Sequence, residues 1–325
     1  MRLGWGGVGL MAAGLSAVVL ALAIGAAPKT PDWAFPPLSR GKPLATPRST
    51  VRNLRLPGSN QAFSDAELHD VQHAVDWRPQ THGPAPAIVM SGRGPPVWAC
   101  GYCHMPAGTG RPENAVLAGL PADYIERQVA DMRAGVRRSA GGVHWGPGGL
   151  MSQMARGVSP ADLHAAAIYF SQQRFTPRIR VVEAAVVPRA AGVAAVYRFD
   201  RSGATQRLGQ RILEGPDDFE RFEMRDDQMT YTAYAPPGAI ARGRSLATTG
   251  DAGRTQPCAA CHGERLQGAL GPPLAGHSPT GLFRQLYGFK TGVRHGEAGA
   301  PMRQVVARLS LSDMIDLAAY AASLR

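Results

Sequence analysis

Lysine is almost missing from this chain. Of its 35 basic residues only Lys29, Lys42 and Lys290 are lysines, so the basicity rests on arginine. Cysteine is also scarce, with four residues, and all four fall inside two Cys-x-x-Cys-His runs, Cys100-x-x-Cys103-His104 and Cys258-x-x-Cys261-His262. No thiol is left over, which excludes a disulfide framework if both runs act as units and denies a zinc site its further thiolates. Aromatic residues make up 7% of the chain, and the 44% apolar content is ordinary for a folded protein rather than a disordered one. Long hydrophobic runs are lacking after the N-terminus.

The one such run, residues 8–27, follows Arg2 and is rich in Leu, Val and Ala, the layout of an export signal. Cleavage after Ala21-Leu22-Ala23 or near Ala26 fits small-residue processing, while Pro28 opposes a cut directly before it. The run is also about the 20 residues that a membrane-spanning helix needs, so a cleaved signal peptide and a retained inner-membrane anchor both stand. Either one places the remainder outside the cytoplasm, in the periplasm of a Gram-negative bacterium.

At 325 residues the chain exceeds the usual single domain. Residues 28–84 read as an extended N-terminal arm, Pro-, Arg- and Ser-rich at first, with Trp33 and Phe35 packing onto the folded body and one short helix over 64–75 capped by Ser64. His69 and His73 are four apart on that helix, but with no third ligand nearby they read as surface residues. Residues 178–237 carry β-branched and aromatic runs between Gly, Pro and Asp turns, which predicts a small antiparallel β module. The charged stretch 217–227 within it reads as a solvated face or turn.

On either side lie two units that repeat each other. Cys103 and Cys261 are offset by 158. Gln128 and Gln285, and Arg137 and Arg294, are offset by 157. Met151 and Met302, Ser159 and Ser310, Asp162 and Asp313, and Tyr169 and Tyr320 are all offset by 151. Landmarks held in order with six extra residues in the first unit, within 139–150, indicate an internal duplication. The units span residues 85–177 and 238–325, and both end in an amphipathic helix.

A Cys-x-x-Cys-His run sets two thiols where they can form thioethers with porphyrin vinyl groups and puts the next imidazole beneath the iron. Two such runs predict two covalently bound haem c groups, with His104 and His262 as proximal iron ligands. A soft donor completes each iron. In the second unit Met302, after Pro301, is the choice, and Met314 reads as a core methionine. In the first unit the repeat places Met151, with Met154, Met132 and His144 as competitors.

The second unit resembles a class I cytochrome c domain through Cys258-x-x-Cys261-His262-Gly263, Gly271-Pro272-Pro273-Leu274-Ala275-Gly276, Gln285, Met302 and Tyr320. The pair of units is similar to the diheme cytochrome c4-like proteins. That resemblance implies a mostly α fold, two class I cytochrome c domains joined here by the added β module, and a Pro273 carbonyl that receives the proximal imidazole N–H. The first unit departs from the pattern, with Met105 where the second has Gly263 and Val116 where it has Pro273. The family expectation is electron transfer between a dehydrogenase or quinol-oxidising donor and an oxidase or cytochrome acceptor, without substrate chemistry of its own. A subunit of a membrane-bound respiratory or dehydrogenase complex is the alternative, and a diheme peroxidase a third reading that His144 encourages. The formal charge of +11 suits an acidic redox partner or an anionic membrane face, and export removes cytoplasmic nucleic acid as a partner.

Overall fold

Two serines show how the sequence starts its helices. Ser159 accepts a hydrogen bond from the Asp162 amide and Ser310 one from the Asp313 amide, both at 3.1 Å, using N–H groups that a helix start leaves open. The Ser310 amide in turn donates to the Asp313 carboxylate at 2.8 Å, closing a capping box.

The computed structural model describes Met1 and residues 30–36, 50–142, 146–193 and 195–325. The apolar run at 8–27, its cleavage sites and His144 lie outside these residues. All elements below belong to the unit Pro31–Arg325. No helix among the described residues is long and apolar enough to cross a membrane.

Among the described residues six α-helices come first: α1 (Asp65–Leu68), α2 (Ala87–Met90), α3 (Cys100–His104), α4 (Ala122–Arg133), α5 (Gly146–Gly157) and α6 (Pro160–Ser171). Strands β1 (Ile179–Glu183), β2 (Val186–Pro188), β3 (Ala190–Val193), β4 (Val196–Phe199), β5 (Thr205–Arg207) and β6 (Leu213–Pro216) follow, then α7 (Phe219–Glu223) and β7 (Tyr231–Ala235). The chain ends in α8 (Ala239–Thr249), α9 (Ala259–His262), α10 (Pro279–Lys290), α11 (Ala300–Val306) and α12 (Leu311–Ser323).

The strands are not all antiparallel, as the sequence suggested. β2 pairs with β5 and β3 with β4 in antiparallel fashion, but the three-stranded sheet has the order β1-β7-β6, and β1 runs parallel to β7 with Ile179 opposite Tyr231. A parallel pair needs a long crossover, and residues 184–230 supply it. The short helix is also shorter than expected. It stops at Leu68, and the Asp70 carboxylate accepts the Gln72 amide at 2.9 Å, drawing the backbone into a turn.

The charged stretch 217–227 is a solvated face only in part, with Asp217, Glu220 and Glu223 exposed. Asp226 is buried and takes hydrogen bonds from Arg78 (2.8 Å) and Arg221 (2.7 Å), and Trp77 donates its indole N–H to the Met224 carbonyl at 2.7 Å. These bonds fix the N-terminal arm to the segment around α7, over a small core of Leu56, Leu68 and Trp77 with Met224 against it.

The largest core joins strand residues Ile179 and Tyr231, and Ile212 just before β6, to Phe283, Met314 and Ile315 of the last helices. Met314 is fully buried there, as its place in the helix predicted. α8 lies tightly on α12 because residue 243 is glycine: a Cβ there would come within 2.0 Å of the Asp316 carbonyl oxygen. Arg242 pins the same contact through a two-pronged bond to the Asp316 carboxylate (2.7 and 2.9 Å). Trp33 does pack on the body, its ring 4.5 Å from that of Phe283, and Phe35 packs against the same core. A second core, with Ile88, Ile125 and Phe170, holds α2, α4 and α6 together.

Candidate functional site

Each motif forms a short helix, α3 or α9, whose last residue is the histidine. The Nδ1 of His104 lies 2.7 Å from the Ala115 carbonyl oxygen, and that of His262 lies 2.8 Å from the Pro272 carbonyl oxygen. A carbonyl only accepts, so both Nδ1 atoms carry the proton and both Nε2 lone pairs are left for a metal. Burial lowers both histidine pKa values, which keeps the rings neutral and ligating.

The acceptor for His262 is thus Pro272 and not the Pro273 that the resemblance implied. Pro273 contributes the nitrogen of the same peptide unit: it has no N–H, and its ring sets the turn that aims the preceding carbonyl. The first unit makes the same bond one residue before Val116, so it needs no proline to orient its histidine.

The backbone around the two motifs follows the offsets read from the sequence. Gly110 donates to His104 and Gly268 to His262; Leu117 donates to Gly108 and Leu274 to Leu266; Gly119 donates to Phe170 and Gly276 to Ala321. Both loops therefore turn the same way beneath their imidazoles.

The first motif opens on a cavity of about 560 Å³, within the range of roughly 300–1,000 Å³ typical of cofactor and ligand clefts. Cys100, Cys103 and His104 line it, with three thioethers, Met132, Met151 and Met154. The structure brings the expected donors together without separating Met151 from its neighbours. Met151 sits inside α5, whose start at Gly146 is three residues earlier than the α11 start would align, so part of the six-residue excess is an added stretch of helix. In the second unit Cys258 and Met302, the latter on the first turn of α11, pack against one hydrophobic cluster, and His262 is buried beside Gly271.

Burial pushes the thiols up, Cys100 to about 12 and Cys103 and Cys258 to about 11. They are protonated at neutral pH and poor thiolate ligands or redox nucleophiles. No disulfide links any of the four cysteines. His69 and His73 do not share a site: His69 faces Asp65 and His73 faces Asp70. No group of three or more metal-binding His, Cys, Asp or Glu occurs among the described residues.

The cavity also touches the second helical set, through Pro273, His277, Gly281 and Gln285. At that junction Arg137 donates to Gln128 (2.9 Å) and Gln285 (3.1 Å), while Arg294 donates to Gln285 (3.1 Å) and Gln128 (2.6 Å). The main chain is equally reciprocal, with Arg138 N–H on the Val293 carbonyl and His295 N–H on the Val136 carbonyl, both at 2.8 Å. A contact in which each side repeats the other is the geometry of a local twofold. Sequence reasoning noted these arginines and glutamines as repeat landmarks and missed their contact.

Burial and the Arg294 cation push Arg137 down to about 9. Two guanidiniums that share the Gln128 and Gln285 amide oxygens, with Arg294 also donating to the Tyr124 hydroxyl at 3.3 Å, form a cradle suited to carboxylates. The donor sets, the cavity and this cradle all fit haem c: thiols for the thioethers, Nε2 and methionine sulfur for the iron, guanidiniums for propionates.

Residues 240–325 match the family model "Cytochrome c", a family that carries covalent haem c. Cytochrome c4 of Azotobacter vinelandii is 30% identical over 141 residues, 39% of this chain and 64% of that protein's length. Among solved structures, a thiosulfate dehydrogenase from Marichromatium purpuratum is similar at a TM-score of 0.45 and 28% identity, covering 70% of this chain and 37% of that one. Reduced cytochrome c4 from Pseudomonas stutzeri gives 0.45 and 24%, covering 70% and 93%, and that of Acidithiobacillus ferrooxidans 0.44 and 22%, covering 69% and 98%. At these scores whole chains superpose loosely, and the site rests on this chain's own residues.

Proposed function

We propose that this chain is a periplasmic diheme c-type cytochrome that relays single electrons between a dehydrogenase or quinol-oxidising donor and an oxidase or cytochrome acceptor. Haem c supplies a one-electron iron couple when bound. Cys100 and Cys103 would hold one group and Cys258 and Cys261 the other, with His104 and Met151, and His262 and Met302, as iron ligands. Residues 85–177 and 238–325 are then duplicated class I cytochrome c domains, and 178–237 is the β-rich module between them.

The observation that carries the reading is the reciprocal contact of Arg137 and Arg294 with Gln128 and Gln285. It ties the wall of the first cavity to the second motif's unit, so both haem sites sit in one rigid frame. A relay needs that fixed spacing, whereas a pair of independent carriers does not. The residues' work is positional: the carbonyls of Ala115 and Pro272 hold the imidazoles, the apolar walls exclude water, and the arginines neutralise propionate charge.

Methionine ligation to ferric haem leaves a near-infrared charge-transfer band. M302L and M151L should each remove one such signature from the oxidised protein while leaving the other. If M151L leaves both intact, Met154 or Met132 holds the first iron; if neither variant changes the spectrum, histidine–methionine ligation is wrong.

A further inference from the structure

The two motif helices are not equally covered. Cys261 and its neighbour Ala260 on α9 are exposed, whereas Cys103 and Tyr102 at the matching positions of α3 are half-buried. The cover on α3 is Arg225, whose guanidinium lies 3.6 Å from the centre of the Tyr102 ring and donates to the carbonyls of Tyr102 (2.6 Å) and Leu68 (2.7 Å). Arg225 holds its own backbone at a φ of +56°, a left-handed conformation that a non-glycine residue adopts at some cost. Its place is nevertheless fixed from both sides, by Trp77 on the Met224 carbonyl and by Arg78 and Arg221 on Asp226. Glu223 and Arg225 also form part of the wall of the first cavity, with His69 and Trp98. Nearby, Arg111 stacks on Phe222 at 3.6 Å and pairs with Glu113 at 3.0 Å, both ions nearly buried. The N-terminal arm and the segment around α7 thus close together over the motif helix α3 and leave α9 exposed at Ala260 and Cys261.

From this asymmetry we infer that the edge at Cys261 is the port through which electrons enter and leave the protein, and that Arg225 seals the first site so that its haem exchanges electrons through the second. The inference rests on the diheme reading. An outer-sphere reagent reacts where it can approach the porphyrin edge, and electron exchange falls off when protein stands between them. A seal built from residues distant in sequence, one of them a buried ion pair, makes a fixed cover rather than a frayed loop.

The test compares two full-length single-haem variants, C100A/C103A, which keeps the haem at His262, and C258A/C261A, which keeps the haem at His104. Each is reduced and mixed with hexacyanoferrate(III), which takes one electron from one ferrous haem to give hexacyanoferrate(II), with no proton moved. The second-order constant is expected to be much larger for C100A/C103A, and R225A added to C258A/C261A is expected to raise the slow constant. Loss of the Arg225 cation alone would slow an anionic oxidant, so the direction separates unsealing from electrostatics. Equal constants in the two single-haem variants overturn the proposal.

Should either variant fail to fold, the two-haem protein answers by a second route. A soluble neutral gadolinium chelate should broaden the ferrous haem resonances of the second site and spare those of the first, with R225A removing the protection. Equal broadening of both haems overturns the proposal. Haem content of the intact protein is measured beforehand, and fewer than two haems per chain defeats the diheme reading itself and not the seal.

Discussion

Met105 and Gly263 follow the two motif histidines, and their backbones have nearly the same angles, φ 61° and ψ 150° against φ 85° and ψ 155°. From sequence, the change from glycine to methionine suggested an altered pocket. The structure keeps the turn and places a side chain where glycine is favoured, a strain on the order of 1–3 kcal/mol that burial of the Met105 side chain offsets by a similar amount. Residue identity showed the difference, but not that the geometry survives it. The Pro273 expectation missed by one residue for a related reason, since a proline in sequence marks a peptide unit whose carbonyl belongs to its neighbour.

Glu214 was invisible as a special residue because its partners lie more than 60 positions away. Its carboxylate is buried and accepts from Ser278 (2.8 Å) and from the Thr280 amide (3.0 Å) and hydroxyl, with one oxygen lacking a hydrogen-bond partner. Burial raises its pKa, against the attraction of Arg284, while Tyr231 and Glu113 complete the charged and titratable surroundings. The folded state therefore binds this proton more tightly than the unfolded one. Stability from this group is lost as pH rises above the ordinary 4.5 towards the raised value, at up to about 1.4 kcal/mol per pH unit. Denaturant unfolding of wild type and E214Q should diverge above pH 4.5 in favour of E214Q. A constant difference across pH would show that Glu214 titrates normally.

Among elements, the helices expected at the end of each unit are there as α6 and α12, and Ser159 and Ser310, legible in the sequence only as repeat landmarks, turn out to cap them. The β region was legible in kind and not in topology, because β-branched runs do not reveal that β1 and β7 meet in parallel across 184–230. The stretch 217–227 was misread in part, for the opposite reason. Its charges look solvated until Arg78, some 148 positions earlier, is placed against Asp226. Both side chains are almost wholly buried, and removing Arg78 leaves Asp226 with Arg221 as its cationic partner, so the cost is capped at the roughly 3–5 kcal/mol of a fully uncompensated charge. R78A should lower unfolding stability by that order and speed amide hydrogen exchange through residues 219–227 before it does so in α12. Unchanged exchange there would mean that the arm does not hold the segment.

At the scale of the molecule, the duplication was read from offsets of 158, 157 and 151, and the same offsets reappear in the backbone hydrogen bonds beneath both histidines. What no offset reveals is how two copies meet. The meeting of Arg137 and Arg294 over Gln128 and Gln285 depends on the path of the 178–237 connection, and pattern alone does not fix that path. The formal charge of +11 also reads differently once part of it is placed. Arg78, Arg284 and Arg294 are buried in the body, so the sequence charge overstates the surface offered to a partner.

The central claim is that both motifs carry haem in one chain. Intact mass of the denatured protein, isolated from a host able to attach haem c and paired with its alkaline pyridine spectrum, reads this directly. Two covalent haems per chain are predicted, with one remaining in C258A/C261A and one in C100A/C103A; a single haem in the unaltered chain, or none, would contradict the account.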